Sequence, residues 1–153
     1  MKQKIEGILN RILETHCWNV GAGGSAGSFF MLDFGEKIPR IKPLVQLAGK
    51  IRDSEGQFRI FVQDVHWELY ENKKMIAYDE SDSKISGTLV TSLKKLEGKK
   101  LMHYILDSHF NLILYFNEFL MLRIFSLRKS LNFDSLVPLY TIVDSQAEEV
   151  SVN

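Results

Sequence analysis

Residue types able to do chemistry are few in this chain and widely spaced. A single cysteine, Cys17, follows His16, and His66, His103 and His109 lie further along. A thiol becomes a nucleophile when an imidazole or another cation lowers its pKa, so Cys17 with one of these histidines is one route to covalent catalysis. None of them sits in a nucleophile motif, and a lone Cys beside Trp18 also reads as a small buried hydrophobe. Glu14, His16, Cys17 and Asp33 form the nearest grouping of metal-ligand types, but no C-x-x-C, H-E-x-x-H or paired-His spacing occurs, and neither a metal nor a cofactor is expected. Asp79, Glu80 and Asp82 have the chemistry of a general acid and base. They are equally accounted for as a cap and a negative first turn ahead of an apolar-periodic segment. The run Gly21 to Gly27 formally spells G-x-G-x-x-A. A dinucleotide-binding loop follows a strand and opens a helix, whereas the pattern here predicts a helix before the run and a strand after it. The run is therefore expected to be a turned connector.

The elements that must position these groups follow from hydrophobic spacing. Ile5, Ile8, Leu9, Ile12 and Leu13 recur at helical intervals and predict an N-terminal amphipathic helix. Ser28 to Phe34 reads as a strand ended by Gly35, with Phe30, Leu32 and Phe34 on one face. Between Glu36 and Gln57 the pattern is irregular, with one short strand expected around Ile41 to Leu47. Phe58 to Val62, Val65 to Tyr70 and Met75 to Tyr78 alternate as a meander. Ile85, Leu89, Leu93 and Leu96 form a stripe that predicts a second helix over about 82–97, capped by the acidic segment, with Gly87 inside and Gly98 just past its end. Lys100 to Leu106, Leu112 to Phe116 and Leu120 to Phe125 read as successive antiparallel hairpins. Leu136 to Val143 is expected as a final edge strand, because Pro138 lacks the ladder donor. Residues 145–153, with Glu148 and Glu149, read as a flexible acidic tail. The expectation is one α+β domain over 1–144 with a mostly antiparallel sheet of about six to eight strands. Several of these strands are apolar at both alternating phases, which fits either a sheet covered on both faces or one with an apolar binding surface.

The chain has 153 residues, with 19 Lys+Arg against 19 Asp+Glu and 45% hydrophobic residues. A chain of this length buries enough surface for its own core. Balanced charge supplies no global field to gather a polyanion, so a nucleic-acid-coating protein is not expected. The stretch from Phe110 to Leu127 reaches spanning length only by including Asn111, Asn117, Glu118 and Arg123, so no membrane association is expected. One Cys suits a reducing, cytoplasmic compartment.

A set of residues in fixed order carries a resemblance. It consists of Cys17-Trp18, Gly27-Ser28-Phe29 through Phe34-Gly35, Gly56-Gln57-Phe58 through Val62 with Trp67, Tyr78-Asp79-Glu80-Ser81, and Leu96-Glu97-Gly98-Lys99-Lys100-Leu101. In order and spacing, from Cys17 to Phe125, these resemble a family of small bacterial proteins of unknown function. The glycine run is richer here than in that pattern, and Val137 to Tyr140 replaces a closing tryptophan segment. The resemblance implies a bacterial, cytoplasmic, single-domain α+β protein. Size and neutrality are also similar to those of immunity proteins of toxin systems.

No coherent catalytic set emerges, and the chain is read as a non-enzymatic protein-binding domain, in its most specific form an immunity protein that occludes a cognate toxin. Lys37, Arg40, Lys42, Lys50 and Arg52 are the candidate partner surface. The alternatives are a homodimeric structural protein pairing through the 136–143 edge, and a small-ligand binder or enzyme using Cys17 and the 21–27 loop.

Overall fold

The computed structural model describes residues 1–44, 50–128 and 139–153. They form an α+β domain in which two five-stranded antiparallel sheets pack face to face. Helix α1 (Lys2–Ile12) buries Ile5, Ile8, Leu9 and Ile12, the stripe its spacing predicts. The first sheet has the order β1-β2-β3-β9-β10, built from β1 (Cys17–Ala22), β2 (Phe30–Pro39), β3 (Ser54–Val62), β9 (Tyr140–Asp144) and β10 (Glu148–Val152). The second has the order β5-β4-β8-β7-β6, from β4 (Val65–Glu71), β5 (Lys74–Tyr78), β6 (Leu101–Leu106), β7 (Leu112–Phe116) and β8 (Leu120–Arg128). A single turn, α2 (Lys50–Asp53), precedes β3. Helix α3 (Thr88–Leu93) runs on into a 3₁₀ turn over Lys94–Leu96.

The core lies between the sheets. Trp67 of β4 is wholly buried, meets Phe30 of β2 edge-on at 5.1 Å, and donates its indole N–H to the Ser28 carbonyl at 3.1 Å. Phe34 and Phe116 stack across the same gap at 6.2 Å. On β9, Tyr140 donates its hydroxyl to the Phe110 carbonyl at 2.8 Å, and burial pushes its phenol well above the ordinary value. The neutral phenol is thus the folded form. Its contribution to stability is complete below the unfolded value of about 10 and is lost as pH rises above it. An alkaline titration followed by tyrosinate absorbance should show Tyr140 ionising only together with unfolding.

The structure corrects several expectations. Among the described residues ten strands form, in two sheets instead of one. The second helix begins at Thr88, six residues later than its stripe predicts, and Gly87 is its N-cap. Asp82 instead accepts the Lys84 N–H and closes a turn, and Ile85 stands in solvent. Strand β2 continues through Gly35 across a bulge between Phe34 and Lys37. Residues 145–153 are not a flexible tail. Val150 and Val152 are buried, and β10 pairs with β9 along its length. That pairing places β9 between β3 and β10, so the proposed 136–143 edge is covered. Pro138 lies outside the described residues. Ile41 to Leu44 form no strand, and the rest of that expected strand also lies outside them.

Candidate protein-binding face

The two sheets differ on their outer sides. In the first, Asn19, Asp33 and Arg59 sit in register across β1, β2 and β3. Asp33 is wholly buried and accepts from Asn19 Nδ2 at 2.8 Å, Gly56 N at 3.2 Å and Arg59 Nε at 2.7 Å. Glu55 adds a second carboxylate, 3.7 Å from Arg59 and 2.8 Å from Arg40. Gly56 is needed here, since a Cβ would lie 2.8 Å from the Asp33 carboxylate and 2.7 Å from the Phe58 carbonyl. These charges are satisfied by one another, so this side reads as a structural network.

The outer side of the second sheet is open and apolar. Cross-strand register aligns Met75, Tyr70, Met121, Tyr115 and His103 in one row, and Tyr78, Glu68, Arg123, Ile113 and Ile105 in the next. Met75, Tyr78 and Ile105 are each 43–45% exposed. One hollow of about 580 Å³ lies at the turns, among Tyr70, Tyr115, Phe119 and Met121. Another of about 390 Å³ lies among His66, Glu68, Met75, Tyr78, Phe125 and Leu127. Between them, Glu68 Oε2 accepts the Tyr70 hydroxyl at 2.7 Å and meets Arg123 Nη1 at 3.5 Å. The bond to Glu68 raises the Tyr70 phenol above its ordinary value, so the hydroxyl stays a donor. Arg123 also lies 5.0 Å over the Phe125 ring.

Aromatic side chains, Met and a guanidinium, with few other charges, are the composition that distinguishes the centres of protein interfaces. The strand sequences contain the signal in Tyr70, Tyr115, Met121 and Phe125, which occupy the phase opposite the buried Leu69, Leu114, Leu122 and Ile124. Which phase faces the core is a matter of packing, so sequence alone leaves the exposed one undetermined.

The groups singled out by type are not brought together. Cys17 is buried at the start of β1 and donates weakly to the Asn19 carbonyl, whereas His16 is exposed. With its sulfur in the core, Cys17 is withdrawn as a nucleophile. A thiol reagent should leave the native protein unlabelled and modify one group after denaturation. Among the described residues no three His, Cys, Asp or Glu side chains converge to hold a metal. In the glycine run, Gly21 belongs to β1, and Gly23 has φ +80° with Val90 Cγ2 only 2.2 Å from where its Cβ would sit. Gly23 thus lets the β1–β2 connection lie against α3, while Gly24 and Gly27 take positive φ in open space. Gly24 N also donates to the Ser83 carbonyl at 2.9 Å.

Asp79 does not cap a helix. Its carboxylate accepts the Trp67 N–H at 3.2 Å and meets His66 Nδ1 at 3.2 Å. Glu80 is exposed, and Ser81 Oγ accepts the Tyr78 N–H. Of the basic candidates, Arg40 is tied to Glu55 with its side chain only 13% exposed. Lys37 lies over the Trp18 ring at 5.1 Å, and Lys42 is exposed. The side chains of Lys50 and Arg52 lie outside the described part. Among the resemblance residues, Phe29 is exposed, Phe34 and Trp67 are core, and Gly27, Gly35 and Gly98 take positive φ. No helix among the described residues is long and apolar enough to cross a membrane. The chain matches no protein-family model, and no curated protein and no solved structure is detectably similar to it.

Proposed function

We propose that this chain is a non-enzymatic protein-binding domain that docks its partner on the outer face of the second sheet. The observation that carries this reading is the two adjacent rows of half-buried to exposed aromatic, Met and Ile side chains, with the Glu68–Arg123 pair among them. Exposed apolar surface of this kind is costly for a protein to maintain without a use. In the most specific form of the proposal the chain is a bacterial, cytoplasmic immunity protein whose partner is a toxin domain, held with its active site covered. Stable interfaces bury about 800 Å² per partner, so the contact should extend over most of the five strands.

Tagged protein from the source organism is the test. A stoichiometric partner should co-purify with the wild type and with Lys42→Glu, and be lost with Ile113→Asp, which places a charge on β7 beside Arg123. If that partner has a toxic activity, the wild type should inhibit it and Ile113→Asp should not. Retention by Ile113→Asp with loss by Lys42→Glu would move the interface to the basic segment and refute the face. Light scattering that shows a stable dimer dissociated by Ile113→Asp would identify the partner as a second copy.

A further inference from the structure

The smaller hollow on this face has a lining of one chemical kind. Asp79 is almost wholly buried, with its side chain 3% exposed, while His66 is 45% exposed. Because a carboxylate only accepts, the hydrogen between them is assigned to His66 Nδ1, and in that tautomer Nε2 is an acceptor. Glu68 makes both of its contacts through Oε2, so Oε1 is uncommitted among the described residues. Met75, Tyr78 and Phe125 wall the rest. The hollow thus combines two open acceptors with a thioether and two rings, and among the described residues the Tyr78 hydroxyl is the other side-chain group of its wall able to donate. Glu68 and Asp79 place two carboxylates in the wall, and Arg123 meets Glu68 from the neighbouring strand.

A donor-only cation with a flat apolar face complements such a wall. Resting on the reading of this face as a protein-docking surface, we infer that the hollow takes an arginine side chain of the partner. Its guanidinium donates to Glu68 Oε1 and His66 Nε2 and lies along Tyr78. Arginine suits the site better than lysine, because its planar fork can serve two acceptors and stack on a ring at once. The face already holds one guanidinium in this manner, Arg123 between Glu68 and Phe125.

The experiment titrates the full chain with N-acetyl-arginine methylamide while following the methyl resonances of its methionines. Met75 reports on this hollow and Met121 on the larger one. The expected result is a saturable shift at Met75 with Met121 unmoved. Glu68→Gln, which keeps the shape, should weaken binding about two- to fivefold, the range of a partly exposed ion pair. Tyr78→Ala should weaken it as well, so a role for the wall does not depend on one variant. An equal shift with the neutral norleucine analogue would show a plain apolar slot and overturn the proposal. A stronger shift with the glutamate analogue, or no saturable shift with the arginine probe, would overturn it too. None of these outcomes bears on partner capture through Ile113, so failure of the pocket and failure of the face are told apart.

Discussion

Asp33→Ala should destabilise the fold by about 3–5 kcal/mol in urea unfolding, the range for removing one partner of a buried ion pair. The size follows from what the substitution leaves behind. Arg59 has a side chain only 12% exposed, and its Nη2 is buried with no hydrogen-bond partner among the described residues. With Asp33 gone, its nearest remaining anion among the described residues is Glu55 at 3.7 Å, and the side chain of Asn19 and the Gly56 N–H lose an acceptor as well. A buried donor left unpaired costs more than the bond it made was worth, because water no longer reaches it. The double variant Asp33→Ala/Arg59→Met, which removes both charges, should therefore be more stable than Asp33→Ala alone. A loss below about 1 kcal/mol for Asp33→Ala would mean that the pair behaves as an exposed one.

Trp67→Ala should cost about 3–5 kcal/mol, as large aromatic deletions in cores do. Trp67 is the largest of the fully buried side chains and fills the space between the sheets, where Phe30 meets it edge-on. Truncation removes those contacts from both sheets at once, and the surrounding strands, fixed by their ladders, relax only in part. Trp67→Phe should cost less, since most of the volume stays, but the Ser28 carbonyl then loses its indole donor. Thermal unfolding of the two variants beside the wild type gives the ordering, and a Trp67→Phe as damaging as Trp67→Ala would show that the hydrogen bond outweighs the packing.

The strands with a clean two-residue alternation were legible. Leu112 to Phe116 forms β7 as its pattern predicts, and Val65 to Tyr70 forms β4 with one residue added. Alternation works because the pleat forces it whatever the partner strand. The second helix was misplaced because Asp79, Ser81 and Asp82 are good caps and equally good turn formers. The fold uses them in turns and gives Asp79 to His66 and Trp67. Glu148 and Glu149 hid a strand whose own signal was the Val150-Ser151-Val152 alternation. Its pairing with β9, however, is a tertiary fact.

The His66–Asp79 contact spans thirteen residues and depends on the β4–β5 register. Asn72 and Lys73 at positive φ fix that register locally, and a shift between Leu69 and Tyr70 then alters it, which no spacing rule anticipates. The open face was visible only as an ambiguity, strands apolar at both phases. The choice between phases is made by which side Trp67, Leu114 and Leu122 take against the first sheet.

The most direct test of the proposed docking face is an oxidation footprint of the methionines, free and with the captured partner bound. Met75 and Met121 lie on the face, Met102 is at its β6 edge, and Met1 is 62% exposed at the chain start. The face predicts that partner binding slows sulfoxide formation at Met75 and Met121 while Met1 reacts as in the free protein. Unchanged oxidation of Met75 and Met121 in a complex shown to be intact would contradict it.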